Sequence, residues 1–153
     1  MVIETIRIRN EAMGHLHRNA QVVGTMRTAE EFWQMQQLLC PPSSLPTGVD
    51  LALFRAGVTI LSKSMDFDSV SCQVLPDWED AANIAGGRWM ARREHRQADD
   101  AWLNLLFFLI GQHADMEGEV VTGAVVSVRK AGDRLALWIR EADNLETVVK
   151  VKL

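Results

Sequence analysis

Two largely apolar segments, Val120 to Val128 and Arg134 to Ile139, flank the turn Lys130-Ala131-Gly132-Asp133. A hairpin of this kind constrains the fold more than any other stretch of the chain. Side chains alternate across a strand. Arg134, Ala136 and Trp138 therefore share one face, and Leu135, Leu137 and Ile139 share the other.

The remaining elements are read around that hairpin. Ile6 and Ile8 alternate with Arg7 and Arg9, the pattern of a half-buried strand near an edge. Gln21 to Met26 is a second short strand. Thr28-Ala29-Glu30-Glu31 is a capping-box sequence, and the helix it opens carries Phe32, Met35 and Leu39 on one stripe before Pro41 stops it. Pro42 to Gly48 is a loop, followed by a strand at Leu51 to Phe54. Thr59 to Val74 is polar and mixed and matches no regular element. Gly86-Gly87 precedes a strand at Arg88 to Ala91, and Asp99 and Asp100 suit the start of a helix running to about Gln112. That helix is apolar almost all round, so one face packs on a sheet and the remainder is left for a partner. The order of strands and helices lacks the spacing of a parallel sheet. The expected class is α+β, an antiparallel sheet backed by helices.

Composition narrows the function. A chain of 153 residues fits one domain with a real core, and 48% hydrophobic with 24% charged residues is ordinary for a globular protein. The net charge of −4 argues against a clamp for long nucleic acid but leaves room for a local basic pocket holding one nucleotide. Cys40 and Cys72 are the only cysteines and suggest no disulfide framework, which favours a reducing compartment. Met1 to Arg9 lacks the apolar core of a signal peptide, and the longest apolar run, Leu105 to Ile110, is too short to span a bilayer. A cytoplasmic or nucleocytoplasmic location is expected.

If the turn is the four residues named, Arg129 and Arg134 face each other across its mouth. Like charges directly opposite are destabilising unless something offsets them, and a phosphate chain would. Two solvated arginines beside an exposed turn satisfy the same pattern. Trp78-Glu79 is a second suggestive pair. An indole can stack on a base, and a carboxylate can accept two N–H donors from a guanine edge. A guanine methylated at N7 is cationic, which strengthens its attraction to a tryptophan face. A core tryptophan beside a surface acid fits the dipeptide equally. Catalytic constellations are poor: His15, His17, His95 and His113 lack metal-ligand spacing, and there is no phosphate loop, nucleophile elbow or HExxH sequence. No Glu-rich helix suits the magnesium of a cap-cleaving hydrolase, and Asp66-x-Asp68 reads as a solvated loop.

Taken together the motifs resemble one family. Trp78-Glu79-Asp80 with Asn83, Gly86-Gly87-Arg88-Trp89, Thr28-x-x-Glu31-Phe32-Trp33, Trp102-Leu103 with Leu109-Ile110-Gly111, Gly123-Ala124-Val125-Val126-x-Val128-Arg129, and Gly132-Asp133-Arg134 with Trp138 resemble, in order, the eukaryotic translation initiation factor 4E family. The resemblance covers roughly Gln21 to Glu146. It implies a curved antiparallel sheet with helices on its convex face and a ligand cleft on its concave face, in a single domain over residues 1–153. It implies that Trp78 stacks on the 7-methylguanine of an mRNA cap while Glu79 pairs with its edge. Arg129 and Arg134 would meet the triphosphate with Arg88 in support, and Trp138 would lie against the N7 methyl group. On the convex face, Trp33, Leu103, Asn104 and Phe107 match the positions that bind the scaffold factor 4G, or inhibitory proteins, through a helix with a tyrosine and leucine motif. Trp33 lies off the Phe32/Met35/Leu39 stripe and is expected to be exposed, while Trp89 and Trp102 are expected to be structural. The family implies a non-enzymatic monomer with no cofactor and no metal.

The chain also departs from the family. Leu16, flanked by His15 and His17, stands where the first of two stacking tryptophans belongs. Residues 59–74 form an insertion by this alignment, Asn104 replaces an acid, and Ala131 replaces a lysine. The family usually continues beyond the position of Leu153, which suggests a compact paralogue or a shortened chain, with Val148 to Leu153 as a terminal strand. The closest rival function is a partner-binding adaptor or translational repressor with weak cap affinity; a cap hydrolase is a less favoured rival from another class, since no acid cluster suits its metal.

Overall fold

The computed structural model describes residues 4–10, 21–55, 85–111 and 121–143. Among the described residues six strands make one open, curved antiparallel sheet: β1 (Glu4–Asn10), β2 (Gln21–Met26), β3 (Val49–Arg55), β4 (Gly87–Arg93), β5 (Val121–Ser127) and β6 (Asp133–Ile139). Their spatial order is β2-β1-β3-β5-β6-β4. Two helices, α1 (Ala29–Leu38) and α2 (Ala98–Ile110), cover the convex face, so the class is α+β. After α2 the chain enters the middle of the sheet as β5, beside β3, and β6 then fills the space between β5 and the edge strand β4.

The hairpin explains this placement. Leu135, Leu137 and Ile139 of β6 join Val121, Ala124 and Val126 of β5 and Leu51 and Leu53 of β3 in one apolar layer. Against that layer pack Trp102, Leu105, Leu106 and Leu109 of α2 with Phe32 of α1. The alternate residues Ala52, Phe54, Val125, Ala136 and Trp138 form a second apolar cluster on the open, concave face. Apolar on both faces, β5 and β6 lie in the interior of the sheet between β3 and β4, where neither presents a free edge.

The helices begin as their sequences dictate. The Thr28 hydroxyl accepts from the Glu31 backbone N–H at 3.2 Å, and the Glu31 carboxylate reaches back to the backbone N–H of Arg27. The reciprocal bond thus falls one residue before the N-cap, a variant of the capping box. Within α1 Phe32 is fully buried while Met35 and Leu39 lean on the core from its margin. The helix ends at Leu38, short of the Pro41–Pro42 pair, and Pro42–Ser44 then makes a single tight turn of 3-10 helix. Strand β4 is longer than its apolar residues suggest, Gly87 to Arg93, because all seven of its residues pair with β6. Trp102 is buried as expected, but Trp89 is half-exposed on the outermost strand, so only the first is a core residue. No helix among the described residues is long and apolar enough to cross a membrane. The inserted segment 59–74 and the expected strand at Val148 to Leu153 lie outside the described residues.

One glycine sets how closely the central strands meet. Gly123 is the register partner of both Phe54 on β3 and Trp138 on β6. A Cβ there would lie 2.5 Å from the Leu53 carbonyl oxygen and 2.6 Å from the Phe54 ring. The bare position lets Phe54 and Trp138 meet edge to face, centroids 5.7 Å apart. Because the first clash is with backbone, Gly123→Ala is expected to cost about 1–3 kcal/mol by overpacking. Urea unfolding followed by tryptophan emission checks this, and an unchanged midpoint would show that the strands yield without strain.

Candidate functional site

The open face of β4 and β6 carries the side chains singled out by the hairpin alternation. Trp138, Ala136 and Arg134 follow one another along β6, and their register partners on β4 are Arg88, Met90 and Arg92. The Arg88 guanidinium carbon lies 5.9 Å from the centroid of the Trp138 ring, within cation–π range. Phe54 supports the same indole from β3, and Trp138 is only 4% exposed. The result is a buried indole with the Arg88 guanidinium over its ring at one end of the face and the exposed Arg134 toward the other.

Arg129 arrives from the turn between β5 and β6, and its position differs from the sequence expectation. The residue opposite Arg134 on β5 is Ser127. Val128 has left the β5–β6 ladder to exchange backbone hydrogen bonds with the start of β3, donating to Val49 O at 2.9 Å and accepting from Gly48 N–H at 2.9 Å. That pull swings Arg129 toward β3, where its Nη2 meets Asp50 Oδ1 at 2.9 Å and its Nη1 donates to the Val128 carbonyl at 3.0 Å. The two arginines stand at the same end of the open face without facing each other. Asp50 holds Arg129 in place, a role the sequence pattern did not mark.

A buried acid organises this end of the sheet. Asp133 opens β6 with no exposure to solvent. Its Oδ1 accepts from the Arg129 backbone N–H at 3.0 Å, and its Oδ2 lies 2.7 Å from Nδ1 of His95. His95 sits in the tight turn His95–Gln97 that leads into α2, and its Nε2 lies 3.0 Å from the Ser43 carbonyl oxygen. Ser43 in turn bonds the Asp99 carboxylate through both its hydroxyl and its backbone N–H. Alternation was the missed signal for Asp133, since it stands two residues before Leu135 on the core face. Nothing in the local sequence points to His95, 38 residues away.

On the helical face Phe32, Trp33 and Phe107 form a ring cluster, with centroids 5.3, 6.0 and 5.8 Å apart. Phe32 is the buried member, whereas Trp33 is 52% and Phe107 42% exposed. Leu103 and Asn104 lie one turn before Phe107 on α2, so the four expected partner-contact positions share one surface spanning both helices. Trp78, Glu79 and the segment around Leu16 with its flanking histidines lie outside the described residues.

Residues 7–153 match the protein-family model described as "Eukaryotic initiation factor 4E". The chain belongs to the eukaryotic initiation factor 4E family. It is 36% identical to eukaryotic translation initiation factor 4E of Aplysia californica over 137 residues, covering 87% of this chain and 56% of the relative. Against the Homo sapiens factor 4E it is 31% identical over 147 residues, covering 94% of this chain and 60% of the relative. The chain thus spans little more than half the length of these relatives. Among solved structures it is similar to C. elegans eIF4E-3 in complex with the 4E-binding protein Mextli and cap analog, with TM-score 0.83, 26% identity and coverage of 99% of this chain and 79% of that one. Ascaris suum eIF4E-3 with m7G cap gives TM-score 0.81 at 27% identity, covering 97% and 77%. The six-stranded sheet with helices on one face is therefore the factor 4E architecture, and the open face and ring cluster lie on opposite sides of it.

The contacts of His95 imply a pH dependence of stability in this factor 4E chain. The Asp133 carboxylate, and secondarily the Ser43 carbonyl, raise the imidazole pKa above its ordinary 6.5, against the opposing effect of burial. Both ring nitrogens face acceptors, so the doubly protonated ring satisfies both contacts and the neutral ring only one. A raised folded-state pKa means stability that is fully present below 6.5 and is lost as pH rises through the raised value. The urea midpoint is expected to fall as pH increases across that window. His95→Gln is expected to show a smaller fall over the same range, and equal slopes would contradict the assignment.

Proposed function

We propose that this chain binds the 7-methylguanosine cap of mRNA on its open face and joins it, through its helical face, to an initiation scaffold such as factor 4G or to an inhibitory protein. The observation that carries this reading is the arrangement on β4 and β6. An indole with a guanidinium over it lies at one end, and Arg134 with the Arg129 turn lies at the other. A cationic purine calls for an aromatic surface, and a triphosphate tail calls for guanidinium groups. The similar Ascaris suum chain is in complex with m7G cap, and the similar C. elegans chain with both a cap analog and a 4E-binding protein.

On this reading Trp78 stacks on the methylated base and Glu79 accepts two hydrogen bonds from its edge. Their roles rest on the Trp78-Glu79-Asp80 motif and its resemblance to the family. Arg129 and Arg134 meet the triphosphate, Arg88 supports them, and Trp138 lies toward the N7 methyl group. The chain acts as a binder in the cytoplasm and not as an enzyme. Trp33, Leu103, Asn104 and Phe107 receive a partner helix carrying a tyrosine and leucine motif, a helix-on-groove contact anchored by exposed rings.

Titration with 7-methylguanosine triphosphate is expected to quench tryptophan fluorescence saturably, and Trp78→Ala to weaken binding about tenfold or more through lost stacking. Unmethylated GTP is expected to bind more weakly than the methylated nucleotide. Trp33→Ala is expected to leave that titration unchanged while weakening a tyrosine–leucine helix peptide by about 2 kcal/mol, as loss of a buried anchor does. Leu16, at the position of the family's first stacking tryptophan, favours a second reading, a partner-binding adaptor or repressor with weak cap affinity. Peptide binding that persists without any saturable cap quenching selects that second reading. Release of methylated nucleotide from capped RNA in the presence of magnesium would contradict both.

A further inference from the structure

Arg92 has no part in the cap contacts above, yet register places it directly opposite Arg134. Directly opposed side chains in an antiparallel pair have Cβ atoms roughly 4.5–5.5 Å apart, and like charges there are destabilising. Both arginines are exposed, and among the described residues neither meets a carboxylate. The stem of Arg92 is nevertheless in a defined place. Gly132 has a left-handed φ of 108°, and a Cβ added there would lie 3.4 and 3.5 Å from Cγ and Cδ of Arg92. The arginine therefore rests on the bare backbone of the turn that also carries Arg129.

The direction of the face matters. From the Arg88/Trp138 pair to the Arg92/Arg134 pair is four residues along each strand, about 13–14 Å at the usual strand rise. If the base lies at the Trp138 end, the triphosphate runs toward Arg134. Arg92, directly opposite Arg134 on the edge strand β4, is then a cation within reach of whatever is covalently attached to that end of the tail.

We propose that Arg92 binds the first phosphodiester of the RNA body, just beyond the cap triphosphate, so that the chain grips capped RNA more tightly than the free cap nucleotide. A phosphate between the two guanidiniums offsets their repulsion and accepts hydrogen bonds from both. The net charge of −4 keeps this contact local, a short extension of one nucleotide site rather than a track for long RNA. The inference rests on the cap-binding reading.

The test compares two probes, 7-methylguanosine triphosphate and a short capped oligoribonucleotide, on the whole chain and on Arg92→Gln. The wild-type chain is expected to prefer the oligonucleotide. Arg92→Gln is expected to leave the mononucleotide affinity unchanged, to weaken the oligonucleotide about three- to tenfold, and to reduce its log–log salt slope by about 0.7, the value for one phosphate contact on a single strand. The urea midpoint of the variant is expected to stay level or rise, since a like-charge pair has been relieved. Equal weakening of both probes, or an unchanged oligonucleotide affinity, overturns the proposal while the cap reading stands. A wild-type chain that binds neither probe overturns both.

Discussion

The central hairpin is apolar on both faces, and that double burial is the constraint on which the rest of the molecule depends. Val126, Leu135 and Leu137 on one side and Val125, Ala136 and Trp138 on the other leave β5 and β6 only one location, between β3 and β4. Placing them there gives the helices a surface to cover and puts an indole at the bottom of the opposite face. Helix packing and the aromatic floor of the open face are thus two consequences of one alternation. Gly123 adds a geometric condition, because the contact between Phe54 and Trp138 exists only if nothing stands between them.

The second organising element is polar. The Asp133 carboxylate, out of contact with water, is held by the Arg129 backbone N–H and by His95. Through His95, Ser43 and Asp99 it connects the hairpin turn, the start of α2 and the tight turn after α1. A buried acid left without these partners would cost several kcal/mol, so the network and the turn conformation stand or fall together. The same turn presents Arg129, which Asp50 keeps extended along the sheet. The local charge of this end is therefore set by pairs of residues drawn from four separate stretches of sequence.

Much of this was legible in the chain itself. The two faces of β6, the span of β2, the Thr28 cap and the extent of α2 follow from periodicity and capping chemistry, which act over a few residues. The exposure of Trp33 followed from its position off the Phe32 stripe. What escaped was non-local. Arg129 and Arg134 were expected to face each other because a hairpin considered alone keeps its ladder to the turn, but Val128 trades that ladder for β3. His95 and Asp133, Arg129 and Asp50, and the Arg92–Arg134 pair depend on which strands become neighbours, and β4 joins β6 only after α2 has crossed the sheet. Trp89 was expected to be structural, and its exposure reflects its place on β4, an edge strand of the described sheet. Trp78 and Glu79 were identified by motif alone and fall outside the described residues.

The aromatic cluster on the convex side takes Phe32 and Trp33 from a helix of ten residues and Phe107 from one of thirteen. Ten residues are too few for a helix to persist by its own hydrogen bonds, so α1 depends on being pressed against its neighbours. A ligand helix seated across Trp33 and Phe107 would act as a splint between the two. It would suppress fraying of α1, and the amide protons there would exchange more slowly even though no residue of the sheet had moved.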